Sequence, residues 1–108
     1  MKRPSHALER SPFAVVETRP AQRTVERETL EWEQLHEGEE SQLPAEYASA
    51  LSALATHPYL GSQLRRRGHY RKLYLRRTGF FILYRLMPRR RIVVVVALVA
   101  KRSLAHRR

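Results

Sequence analysis

The residues of this sequence best equipped for chemistry are its cations. Arg65, Arg66, Arg67, Arg71, Lys72, Arg76, Arg77, Arg85, Arg89, Arg90, Arg91, Lys101 and Arg102 crowd the carboxyl half, with Tyr70 and Tyr74 interleaved among them. Guanidinium and ammonium groups grip phosphates, and tyrosine rings stack bases, so this composition suits a nucleic acid or a similar polyanion. The same groups stabilise charge that develops on a phosphoryl group in transit. With an RNA 2′-hydroxyl as the nucleophile, strand cleavage would then need no histidine. The candidate contacts for a nucleic acid or another target are Arg65, Arg67, Tyr70, Arg71, Tyr74, Arg76, Arg77, Arg85 and Lys101. For any one arginine a merely solvated surface position is the plain alternative; for the whole block a partner is the better reading.

The charge distribution sharpens the point. The chain carries 21 Lys plus Arg against 10 acidic residues, a net charge of +11. Every acidic residue lies between Glu9 and Glu46, so the half beyond residue 57 is purely cationic. Its charge must be met by the first half folding over it, by counter-ions, or by a separate acidic or polyanionic molecule.

Other chemistries find little support. There is no cysteine, which removes disulfides, thiol nucleophiles and cysteine-type zinc sites and fits a reducing, cytoplasmic setting. His6, His36, His57, His69 and His106 show no metal-ligand spacing, and no metal or cofactor is expected. Among the carboxylates only Glu46 is placed to approach the basic segments, a weak signal for acid–base work. No glycine-rich phosphate loop or nucleophile elbow occurs. The apolar row Ile92–Ala100 is less than half of the ~20 residues a membrane span requires, and the amino-terminal segment has no apolar region of a secretory signal.

The elements that must position these cations can be read from periodicity. "PFAVVET" (12–18) reads as a strand, and "RPAQ" supplies a helix-start proline. Ala21, Val25, Trp32 and Leu35 then recur at near-helical spacing, predicting an amphipathic helix to His36. Gly38 stops it, Ser41 is placed to cap the next helix, and Leu43, Tyr47, Leu51 and Leu54 carry that helix to about Thr56. The short link makes the two an antiparallel hairpin. After Gly61 the period becomes two: Leu73 and Leu75 face one way, Tyr70, Lys72, Tyr74 and Arg76 the other. Turns at Thr78–Gly79 and "MPRRR" separate two further strands, "FFILYRL" and "IVVVVALVA". The last is apolar on both parities and needs cover on both faces; a helix pair covers one, and a loop, a tail, a second copy or a different protein must cover the other, a first hint of a partner. The order strand, helix, helix, strand, strand, strand gives an α+β fold with a helix hairpin on a small, mostly antiparallel sheet. Residues 1–11 read as a basic tail, 12–102 as one domain, and 103–108 as a second basic tail.

Taken together, "VVETRPA", "HPYLG" ahead of a basic "LRRR", the glycine-aromatic strand ending "LYR", and a valine-rich strand closing on "KR" resemble the RelE/ParE superfamily of bacterial toxins over about residues 12 to 102. The resemblance implies the toxin half of a type II toxin–antitoxin system. Such a toxin is a cytoplasmic protein neutralised in a hetero-oligomer by a cognate antitoxin, and acts on DNA gyrase or on mRNA at the ribosome. RelE-type nucleases use two lysines two residues apart, an arginine two residues after the glycine that opens the next strand, a terminal arginine, and a tyrosine some six residues later. Lys72 matches the first lysine and Arg102 the terminal arginine, which makes them the catalytic candidates. Tyr74 stands at the second lysine, Phe81 at the arginine after Gly79, and Arg108 at the tyrosine. Branches with a histidine before the final basic pair are not matched either, since Val99 and Ala100 stand there. Two matches in five lean toward a non-enzymatic, gyrase-directed toxin over an endoribonuclease. A small basic nucleic-acid-binding module, or an inactive toxin relative, is the alternative.

Overall fold

Strand β1 (Ala14–Glu17) passes directly into helix α1 (Arg19–Leu35) at Thr18. In the computed structural model, which describes residues 12–65 and 67–101 with Arg67 as backbone alone, that one residue fixes three elements. Thr18 stays extended, and its hydroxyl accepts a hydrogen bond from the Ala21 amide at 3.4 Å, satisfying an otherwise open helix N–H. The hydroxyl proton is shared between the carbonyls of Val95 and Val96, each 2.9 Å away. Pro20 sits in the first turn, where a missing N–H costs nothing.

Helix α1 meets the sheet only through its first half. Ala21 is fully buried and Val25 packs on the core, whereas Trp32 is half-buried and Leu35 is 81% exposed. The expected apolar stripe therefore stops short of His36. A cleft of about 520 Å³ separates its end from Leu43 and Phe80, and Trp32 stacks instead on His36 at 3.9 Å. Helix α2 (Leu43–Thr56) buries Leu43, Tyr47, Ala50 and Leu54. Ser41 accepts from the Leu43 amide and its own amide donates to Glu33, which pins the inter-helix link.

The sheet has five strands in the order β1-β5-β4-β3-β2, with β2 at Ser62–Leu64, β3 at Arg67–Leu75, β4 at Phe80–Met87 and β5 at Ile92–Ala100. β1 runs parallel to β5, and every other pairing is antiparallel. β5 is thus interior, bonded on both sides, as its unbroken apolar row predicts. The β2 strand is one element more than periodicity predicts. Between β4 and β5 the register jumps from Leu83↔Ala97 to Tyr84↔Val95, leaving Val96 as a bulge held by Thr18. The bulge returns Leu98 to the same face as Val93 and Val95.

One face of this sheet forms the core with the helices. Leu75, Ile82, Tyr84, Leu86, Val93, Val95 and Leu98 cluster there with the buried residues of α1 and α2. The "HPYLG" loop is tied in by Tyr84, fully buried, whose hydroxyl donates to the Pro58 carbonyl at 2.9 Å and accepts from the Gly61 amide at 2.8 Å. Gly61 has to be glycine: a Cβ there would lie 2.5 Å from the Lys72 carbonyl oxygen. At the far end of β3, the Glu46 carboxylate accepts from the amides of Arg77 and Thr78 and from the Thr78 hydroxyl. Gly79 completes that turn with φ 81°, a left-handed conformation that costs glycine least.

Candidate functional site

Alternation and register place the candidate side chains on the opposite face. Residues paired across neighbouring strands share a face, so the rows can be followed through the ladders. One row runs Val99, Phe81, Tyr74; the next Ala97, Leu83, Lys72, Ser62; a third Val94, Arg85, Tyr70. The middle of this face is aliphatic, and the cations and tyrosines lie toward β3 and the strand ends. Neither helix lies over it, and Val16 and Tyr74 are 48% and 39% exposed. The cover expected on the second face of β5 is therefore not supplied by the helices.

Near the carboxyl end of β5 the side chains assemble into a mixed aromatic and ammonium cluster. The rings of Tyr74 and Phe81 lie 5.1 Å apart. The Lys72 ammonium sits 5.0 Å from the Phe81 ring centre, and that of Lys101 sits 5.2 Å from the Tyr74 ring centre. Each cation–ring contact contributes about 0.5–1 kcal/mol at an exposed site. The larger consequence is positional: two flat rings are flanked by two donors, an arrangement that suits a base with its adjacent phosphates. The Lys101 amide donates to the Gly79 carbonyl, which fixes the cluster against the β3–β4 turn.

Other sequence candidates are placed elsewhere. Arg71 pairs with Tyr84 on the helix side of the sheet; its guanidinium donates to the carbonyls of Tyr59 and Gly61 and lies over the Tyr59 ring. It braces the loop and does not reach the open face. Arg76 and Arg77 are exposed on the β3–β4 turn, and Arg65 is exposed just beyond β2. Arg85 is exposed in the Tyr70 row. Arg66, Arg102, Arg107, Arg108 and both predicted tails lie outside the described residues, as does the side chain of Arg67. In the sequence Phe81 stands out only where an arginine is missing; its register opposite Tyr74 makes it a contributor.

The electrostatics match the charge segregation of the sequence. No ion pair joins Lys72, Arg76, Arg77, Arg85, Arg89, Arg90 or Lys101 to a described carboxylate; the described pair is Arg27–Glu28 within α1. Of the acids that approach the strand half, Glu46 is occupied by the turn amides and Glu17, beside Val95, by the Tyr47 hydroxyl. Among the described residues, the titrating groups with displaced pKa are Tyr84 and Tyr47, both on the helix side and both raised by burial, with the neighbouring Glu17 carboxylate adding to the effect at Tyr47. Among the described residues no group of three His, Cys, Asp or Glu comes together for a metal, and no helix is long and apolar enough to cross a membrane.

No protein-family model and no curated protein matches this sequence. Solved structures do match. The RelBE2 toxin–antitoxin complex from Mycobacterium tuberculosis contains a chain with 22% identity and a TM-score of 0.59, over 82% of this chain and 91% of that one. The isolated E. coli RelE toxin matches with 15% identity and a TM-score of 0.62, over 82% and 83% of the two chains. An E. coli RelE variant with two arginine-to-alanine changes, in its free state, matches with 14% identity and a TM-score of 0.65 over 85% and 86%. With its helix pair on one face of a mixed, mainly antiparallel sheet, the chain has the α+β fold of the RelE/ParE-like toxins.

Proposed function

We propose that this chain is the toxin component of a type II toxin–antitoxin pair, arresting growth by acting on gyrase or on translation and silenced by a cognate antitoxin. The observation that carries the reading is the open sheet face. It is aliphatic at its centre and basic at its ends, it has no helix over it, and no described carboxylate is paired with its cations. A face of that kind in this fold is suited to an acidic, partly apolar chain segment that orders on docking. One of the similar structures, the RelBE2 chain, being part of a toxin–antitoxin complex supports the same partner.

The reading favours binding over strand cleavage. Where the nuclease pattern has a second lysine and an arginine, this chain puts Tyr74 and Phe81, and the ammonium groups of Lys72 and Lys101 face rings. Both rings can hold a base or an apolar side chain, but neither carries the positive charge that stabilises a transition-state phosphoryl group.

The test is induction of the chain alone and together with the small reading frame adjacent to its gene. Arrest by the chain alone, relieved by the neighbour, is the expected result; normal growth with no binding neighbour would remove the proposal. Supercoiling by gyrase and mRNA cleavage on translating ribosomes, each repeated with Lys72→Ala and Tyr74→Ala, assign the target. Inhibited supercoiling with intact mRNA is expected.

A further inference from the structure

The sheet comes apart at one corner. The β3–β4 ladder ends where Tyr70 faces Arg85. Beyond it, β4 continues to Met87 paired with β5 alone, while the start of β3 pairs with β2. The diverging strands leave a cleft of about 460 Å³ lined by the apolar Leu86, Met87 and Pro88, of which Leu86 is buried and Pro88 exposed, and rimmed by the polar His69, Arg85, Arg89 and Arg90. All four rim residues are exposed, and none of their side chains makes a hydrogen bond or ion pair with another described residue. The tight turn after β4 presents Arg89 and Arg90: the Arg90 amide donates to the Met87 carbonyl and the Arg91 amide to that of Pro88. Arg91 itself takes a positive φ of 55°.

We propose that this cleft is a nucleotide site for single-stranded nucleic acid, separate from the Lys72–Tyr74 cluster at the other end of the same strands. A base lies flat on the apolar lining while the phosphates on either side of it are held by Arg85, Arg89 and Arg90. His69 meets the polar edge of the base. The chemistry selects this ligand class in two ways. A free anion or a wholly polar acidic peptide would satisfy the guanidinium groups and leave Met87 and Pro88 uncovered, whereas a nucleotide supplies charge and a flat apolar body together. A duplex would keep its base faces stacked and out of reach, so only an unpaired strand delivers a base to the lining. The cleft volume falls within the range of small-ligand sites, roughly 300–1,000 Å³. The proposal is independent of the toxin reading: binding here by a chain that leaves growth untouched would uphold the cleft and remove the toxin.

The experiment is fluorescence anisotropy of labelled oligouridylate and oligodeoxythymidylate with the purified full chain, across a salt series, beside Arg89→Ala/Arg90→Ala. Both altered side chains are exposed, so the fold is unaffected. The double variant is expected to weaken binding on the order of tenfold and to flatten the salt slope by about 0.7 for each phosphate no longer gripped. Amide resonances of His69 and residues 86–90 are expected to shift on titration with either oligonucleotide. Equal affinity for the two probes assigns the grip to phosphate and base, and a preference for the ribo-probe adds the 2′-hydroxyl; both outcomes uphold the site. Three results overturn it. These are wild-type binding by the double variant, amide shifts confined to the Lys72–Tyr74 cluster, or displacement of the probe by polyglutamate or inorganic phosphate as effective as displacement by unlabelled oligouridylate.

Discussion

At the scale of single residues, Tyr84 joins more of the molecule than any ring on the open face. Its hydroxyl is a donor to the Pro58 carbonyl and an acceptor for the Gly61 amide, so it holds the "HPYLG" loop against β4 from within the core. Tyr84→Phe keeps the ring and leaves a buried carbonyl and a buried amide unpaired. A loss of about 1–3 kcal/mol is expected from urea unfolding, with the open-face cluster unchanged. The same burial makes stability depend on alkaline pH. Burial raises the Tyr84 pKa above its ordinary 10.0, against the opposing pull of the Gly61 amide and the Arg71 charge; burial and Glu17 raise that of Tyr47. The unfolded chain releases these phenolic protons near pH 10 while the folded chain still holds them. Stability is therefore complete below that pH and falls as pH rises above it. Ultraviolet absorbance should show two of the five tyrosines ionising only as circular dichroism reports unfolding. Ionisation of all five in an intact fold would contradict the assignment.

At the scale of elements, the β3–β4 turn depends on a helix. Glu46, in the first turn of α2, accepts three hydrogen bonds from Arg77 and Thr78, and the turn in turn positions Lys101 through Gly79. Glu46→Ala is expected to destabilise by about 1–3 kcal/mol and to speed exchange of the Arg77 and Thr78 amides ahead of the rest of the sheet; protection as in the wild type would show that the turn stands without its cap. The sequence singles Glu46 out as the one acid near the strands, but spacing alone cannot tell a turn brace from an acid–base group. Periodicity makes the helix hairpin, the three long strands and the interior place of β5 legible, because each buries a regular set of apolar residues. β2 is not legible, since "SQL" has no alternation and its position follows from the fit of Gly61 beneath the Lys72 carbonyl. The period-two rule already puts Arg71 on the Leu73 side of β3. Grouping it with its basic neighbours by charge conceals its bracing role. The Tyr74–Phe81 contact and the corner cleft both arise from register between distant segments, which no local pattern records.

At the scale of the whole molecule, the folded chain keeps the charge asymmetry of its sequence. Every carboxylate precedes residue 47, and the described cations of the strand half named above are not paired to them. Like charges gathered on one layer oppose the compact state unless screened or bound. Raising sodium chloride from low ionic strength toward ~0.15 M, where the Debye length is about 8 Å, should therefore raise Tm. A protein stabilised by internal ion pairs would respond in the opposite sense, so a falling Tm would refute the unneutralised face. Screening and occupancy separate at matched ionic strength: a polyanion that docks on the face should raise Tm further than chloride does. An acidic segment that docks there, present at about a hundred times its Kd, should add about 2.7 kcal/mol. Arg85→Glu divides the same two effects within one variant. Placing a carboxylate in the Tyr70 row relieves repulsion and should raise Tm at low salt, while setting a like charge against an acidic partner should weaken its binding. A variant that loses both stability and partner binding would instead place Arg85 in the packing of the sheet.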